Sequence, residues 1–137
     1  MPEALPSAGE ILAFATGLAD AARPVAMRHF RTELDIVAKA DASPVTLADR
    51  AIEALLRERI AARFPEHGIV GEEMGVTPGQ GPVWVIDPID GTKSFITGKP
   101  LFGTLIGLCH HGVPTIGVVD QCVLKERWVR MRYSHMF

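Results

Sequence analysis

"GIVGEE" at Gly68–Glu73 and "VWVID" at Val83–Asp87 are two short apolar runs that each finish in acid. They read as buried strands that deliver carboxylates at their ends. The second run continues into "DPIDGT", Asp87–Thr92, so Glu72, Glu73, Asp87 and Asp90 put four acidic groups into an otherwise apolar stretch. Ionised carboxylates near a core are costly unless something positive pairs with them. No Lys or Arg lies between Glu72 and Asp90. The missing positive partner is best supplied by a divalent metal.

On the N-terminal side, Ser7 and Glu10 have capping-box spacing, and Ile11, Leu12, Phe14, Ala15 and Leu18 recur at helical intervals. This predicts a helix to about Phe30, kinked or divided at Pro24, which lacks an N–H and crowds the preceding turn. "ELDIVAKAD", Glu33–Asp41, predicts a short strand. The clearest helix follows, with Ala48, Ile52, Leu55, Leu56, Ile60 and Phe64 on one face, Thr46 and Asp49 at capping-box spacing, and Pro65 as its stop.

On the C-terminal side, "KSFITGKP" predicts a short helical turn or loop. "GTLIGLCHHGVPTIGVVDQ" predicts two strands joined by a tight turn at His111–Pro114, and "VLKERWV" supplies one more. The terminal "RMRYSHMF" has neither alternation nor a capping signal.

The chain has 137 residues, 47% hydrophobic and 22% charged, with a net charge of -2, which predicts one domain with a real core and no nucleic-acid partner. No apolar stretch approaches membrane-spanning length, and no basic region precedes an apolar run at the N-terminus. Cys109 and Cys122 fall in separate runs without C-x-x-C spacing and read as small buried hydrophobes in a reducing compartment. A cytoplasmic location is expected.

Asp87 and Asp90 lie three residues apart across what reads as a Pro-containing turn, so both carboxylates and the Ile89 carbonyl can converge on one point. Hard cations such as magnesium take this oxygen set. Gly91 lets the backbone approach a ligand, and the Gly91 and Thr92 N–H groups suit an anionic oxygen. A plain turn is the alternative, because Asp, Pro, Gly and Thr are all turn formers. Glu72 at the end of a separate strand weighs against it, while Glu73 reads as a solvated neighbour. The D-x-D-G-T motif of haloacid-dehalogenase-type phosphatases is disfavoured, because two residues rather than one separate these aspartates. His110 and His111 are adjacent strand residues that should face opposite ways, and they read as turn-proximal rather than catalytic.

"KADASPVTLAD", "GEE" and "WVIDPIDGTKSF", in this order and spacing, resemble the inositol monophosphatase superfamily of magnesium-dependent phosphatases. "DGTKSFITGKPLFGTLIGL" and "GVVDQCVLKERWV" resemble its bacterial histidinol-phosphatase branch. The resemblance implies an α+β fold, a helix-plus-antiparallel-sheet domain over residues 1–129, with 130–137 as an atypical tail. It also implies a cofactor of two or three Mg2+ ions and a small phosphate-ester substrate, histidinol phosphate or alternatively an inositol phosphate. By the same resemblance Glu72, Asp87, the Ile89 carbonyl and Asp90 are metal ligands, and Asp49 and Thr92 orient and deprotonate the attacking water. Gly91 and Thr92 then bind phosphate, and Lys39 lies in a mobile loop beside the metals.

Members of this family are roughly twice as long, form homodimers when intact, and carry a second α/β domain that this chain lacks. Premature termination or a frameshift is therefore expected, with an exposed apolar sheet edge and self-association. A catalytically incompetent, metal-binding or partner-binding remnant is the reading of a different class.

Overall fold

The computed structural model describes residues 6–32 and 44–132; the strand expected at Glu33–Asp41, the mobile-loop Lys39 and residues 133–137 lie outside them. α1 (Ala8–His29) begins as its sequence dictates, with Ser7 Oγ accepting the Glu10 N–H at 3.1 Å. Its buried face is Ile11, Ala15, Leu18, Ala19, Ala22 and Ala26. Pro24 does not divide it: α1 runs as one helix through the proline. Pro24 is exposed, so the carbonyl it leaves without an N–H partner can be hydrated.

α2 (Pro44–Arg63) starts two residues before Thr46, so the start expected at Thr46 falls within the first turn. A proline suits a first helical position, where its missing N–H would have no intrahelical partner. Ala48, Ile52, Leu56, Ile60 and Phe64 are buried as their spacing predicts.

Six strands follow: β1 (Gly68–Gly71), β2 (Gly75–Thr77), β3 (Val83–Asp90), β4 (Gly103–His110), β5 (Val113–Gln121) and β6 (Glu126–Met131), with the short α3 (Thr92–Ile96) between β3 and β4. They form one sheet in the order β2-β1-β3-β4-β5-β6. The expected antiparallel sheet is in fact mixed, because β1 pairs with β3 in parallel while the other neighbours are antiparallel. β2 is the reason. This fully exposed edge strand, with no apolar alternation to announce it, turns back on β1 and lets the chain re-enter on β1's other side.

α1 packs on β4 and β5, α2 packs on β3, and the two helices pack on each other. The core between them centres on Trp84, Ile86, Ile106, Leu108, Ile116 and Val118. On the opposite face Val85, Val119 and Trp128 are exposed. The β4–β5 turn is tighter than expected: His111 and Gly112 both take positive φ, 51° and 74°, and Val113 already belongs to β5. Residues 122–125 form a turn, and β6 carries on through Arg130 and Met131 into the segment expected as tail.

Candidate active site

The parallel pair decides where the acids go. Gly71 at the end of β1 stands opposite Ile86 of β3, so the next residues, Glu72 and Asp87, leave neighbouring strands at the same end of the sheet. An antiparallel pairing would have sent them to opposite ends.

"DPID" is not a turn but a bulged strand end. Between the pairs Asp87↔Leu105 and Asp90↔Gly103, β3 advances one residue more than β4, which marks a bulge. Pro88 sits there without needing a ladder N–H. Pro88 and Ile89 are both buried, and Thr104 of β4 fixes the bulge by donating its hydroxyl to the Pro88 carbonyl at 2.8 Å. Gly91 then takes φ 94° and ψ 47° as the N-cap of α3, without a side-chain cap. A Cβ there would lie 2.7 Å from the Leu101 carbonyl oxygen, so only glycine fits. Thr92 opens α3 and is exposed, and among the described residues no hydrogen bond joins it to Asp49.

Asp49 comes from α2 and is 6% exposed. Burial pushes its carboxyl up to about 7, the charges of Glu73, Asp87 and Glu72 add to the rise, and the Ile89 N–H opposes it. Asp87 is likewise pushed up to about 7, first by burial, then by hydrogen bonding with Glu72 and by the Glu72 and Asp90 charges. Asp49, Glu72, Asp87 and Asp90 are thus brought together, and Glu73, read as a bystander, is the largest single charge acting on Asp49.

Asp87 Oδ1 is buried with no hydrogen-bond partner among the described residues. Among the described residues no three acidic, histidine or cysteine side chains are grouped so that they could hold a metal ion as they stand, and like charges that repel would draw in only with a cation between them. An oxygen-only set with an unpartnered buried oxygen and acids that retain protons near neutral pH fits a hard divalent cation.

Sequence reasoning missed Glu53, a fully buried acid on α2 that accepts the backbone N–H groups of Glu73 and Met74 at 2.9 and 2.7 Å. Its signal was present: an acid inside the apolar stripe, four residues from both Asp49 and Arg57. The histidine pair is corrected in geometry. His111 has left the strand, so the two rings lie 4.1 Å apart rather than on opposite faces. They stand near the start of β3, roughly 20 Å from Asp90 by strand length, and take no part in the acidic group. Both cysteines are free, Cys122 buried and Cys109 half-buried. No helix among the described residues is long and apolar enough to cross a membrane.

Comparison with known proteins adds to this geometry. A profile of the inositol monophosphatase family matches residues 8–136. The chain is 51% identical to the bifunctional phosphatase IMPL2, chloroplastic, of Arabidopsis thaliana, covering 87% of this chain and 35% of that protein. It is 43% identical to a histidinol-phosphatase of Chlorobaculum parvum, covering 92% and 49%. An inositol monophosphatase from Zymomonas mobilis superimposes with a TM-score of 0.82 at 43% identity, over 93% of this chain and 50% of that one. The chain therefore spans about half the length, or less, of the relatives it matches.

Proposed function

Because this chain belongs to the inositol monophosphatase family, whose members are phosphatases, we propose that it carries the metal-binding half of a magnesium-dependent phosphomonoesterase acting on histidinol phosphate. The observation that carries the reading is the acidic group at the paired ends of β1 and β3, with Asp87 Oδ1 buried and unpartnered. The family is generally metal-dependent, and magnesium is the ion whose preferences match an all-oxygen set.

Glu72, Asp87, the Ile89 carbonyl and Asp90 are the residues that would hold the ions. Bound there, magnesium supplies charge stabilisation of the phosphoryl oxygens and a lowered water pKa. Asp49, with its carboxyl near 7, accepts the proton of the attacking water, and the Thr92 hydroxyl orients that water. The Gly91 and Thr92 N–H groups, at the start of α3, would receive the phosphate oxygens. Lys39 belongs to the same assignment by motif and lies outside the described residues. No nucleophilic side chain is required.

Histidinol phosphate is favoured by the kinship to the Chlorobaculum histidinol-phosphatase, and the Zymomonas structure favours an inositol phosphate as the second reading. We further propose a cytoplasmic enzyme that works as a homodimer when the remaining half accompanies this one. The test is magnesium-dependent phosphate release by the purified 137-residue chain, with histidinol phosphate and inositol phosphate side by side and Asp87→Asn as control. Release from histidinol phosphate that the control abolishes supports the reading. A folded chain that releases phosphate from neither substrate means that catalysis needs the other half, and faster release from inositol phosphate overturns the substrate assignment.

A further inference from the structure

We infer that Glu53 and Arg57 of α2 are positioning residues that set the place of Glu72 relative to Asp87, a claim that rests on the acidic group being a cation site. Glu53 is 0% exposed, and both of its oxygens are engaged. Oε1 accepts the Glu73 N–H at 2.9 Å, while Oε2 accepts the Met74 N–H at 2.7 Å and the Arg57 Nε–H at 3.1 Å. Arg57 then reaches on to the Thr77 hydroxyl at 2.8 Å and the Gly75 carbonyl at 2.5 Å.

A single i,i+4 pair on one helix therefore grips the β1–β2 turn and the strand that leaves it. Gly71 completes the grip, since a Cβ there would lie 2.5 Å from Glu53 Cδ and the carboxylate can sit only where a side chain is missing. Glu72 is the residue between Gly71 and the two anchored N–H groups. Its backbone is fixed on both sides while its exposed side chain stays available to the site.

A buried ion pair is weak as a stabilising device, because apolar residues of equal volume often do as well. A carboxylate that accepts successive N–H groups does what an apolar residue cannot: it fixes the direction of the turn. The same helix carries Asp49 one turn earlier, so α2 registers the proton acceptor and the Glu72 loop against each other.

The experiment measures the affinity of the 137-residue chain for Mg2+ alone by calorimetry, beside its urea unfolding midpoint. Glu53→Gln keeps the volume but points an amide NH2 at a backbone donor, and Gly71→Ala places a methyl where the carboxylate lies. Each is expected to weaken Mg2+ binding by about 10- to 100-fold, the usual effect of removing a residue that orients a metal ligand. Arg57→Lys, which cannot span all three acceptors, shifts binding in the same direction by less. Arg23→Lys, on α1 and bonded to Asp120 rather than to the β1–β2 turn, lowers the midpoint and leaves Mg2+ affinity unchanged.

Should Glu53→Gln not fold, Gly71→Ala and Arg57→Lys carry the test. Folded variants that bind Mg2+ within twofold of the parent overturn the inference, as does an equal loss in Arg23→Lys. A parent chain that binds no Mg2+ overturns the cation-site reading itself, and the positioning role falls with it; that outcome is recognised because the unsubstituted chain is already silent.

Discussion

Asp120 on β5 and Asp87 on β3 lie in the same sheet with β4 between them and are treated in opposite ways. Asp120 is 1% exposed, and its oxygens take hydrogen bonds from Arg23 Nε and Nη2, both at 2.8 Å, and from Arg127 Nε at 2.7 Å. Arg127 also reaches Asp20 of α1, so the network ties the first helix to β5 and β6. Asp87 has a buried oxygen with no partner among the described residues, and the charges acting on it there are those of Glu72 and Asp90. Where a carboxylate is scaffolding, the chain brings its own cations; among the described residues none forms an ion pair with Asp87 at the paired strand ends. That contrast, more than the number of acids, is what favours the proposed reading of the second group as a ligand set.

The contrast breaks if both aspartates respond alike to loss of charge. Asp120→Asn removes the anion shared by two guanidinium groups and is expected to lower unfolding free energy by about 3 kcal/mol in urea titration. Asp87→Asn is expected to leave the chelator-treated chain as stable as the parent or more so, because it relieves repulsion. Added Mg2+ at 100 times its Kd stabilises the parent by about 2.7 kcal/mol and the Asp87→Asn chain by nothing. A loss in Asp87→Asn equal to that in Asp120→Asn makes Asp87 a scaffold charge after all.

Proton competition sharpens the comparison at a smaller scale. Because the Asp87 carboxyl is pushed up to about 7, a cation must displace its proton at and below neutrality. Mg2+ affinity should fall about tenfold per pH unit below 7 where one proton is displaced and level off above it, as calorimetry at several pH values would record.

The smallest effect lies at the far end of β3. There the Trp84 indole N–H donates to His67 Nδ1 at 3.1 Å, and burial lowers the His67 pKa below its ordinary 6.5. The unfolded chain takes up the proton first, so this stabilisation is present above pH 6.5 and is lost as pH falls through the lower folded value. His67→Gln should flatten that part of the pH–stability curve without changing Mg2+ binding.

Much of this was legible in the sequence because it rests on local chemistry. Ser7 caps α1, the α2 stripe is buried as spaced, and the apolar runs before Glu72 and Asp87 are strands. What escaped depends on partners distant in sequence. Parallel pairing was hidden by β2, three exposed residues without a pattern. The bulge was hidden because Asp, Pro and Gly carry the same local signal in a turn. Glu53 looks like any helical glutamate until the β1–β2 turn arrives above it to claim both oxygens.

The parallel pair gives the molecule an order of events as well as a shape. β4 and β5 meet through a two-residue turn at His111–Gly112, whereas β1 finds β3 only after the intervening hairpin has turned back, with Gly68 opposite Val83. Contacts that close long loops form late in folding. The acidic end then assembles after the meander, and a cation that recognises only the finished end should slow unfolding and leave the refolding rate untouched. Stopped-flow refolding and unfolding with and without Mg2+ would read the site as a clock for the closing of the β1–β3 pair.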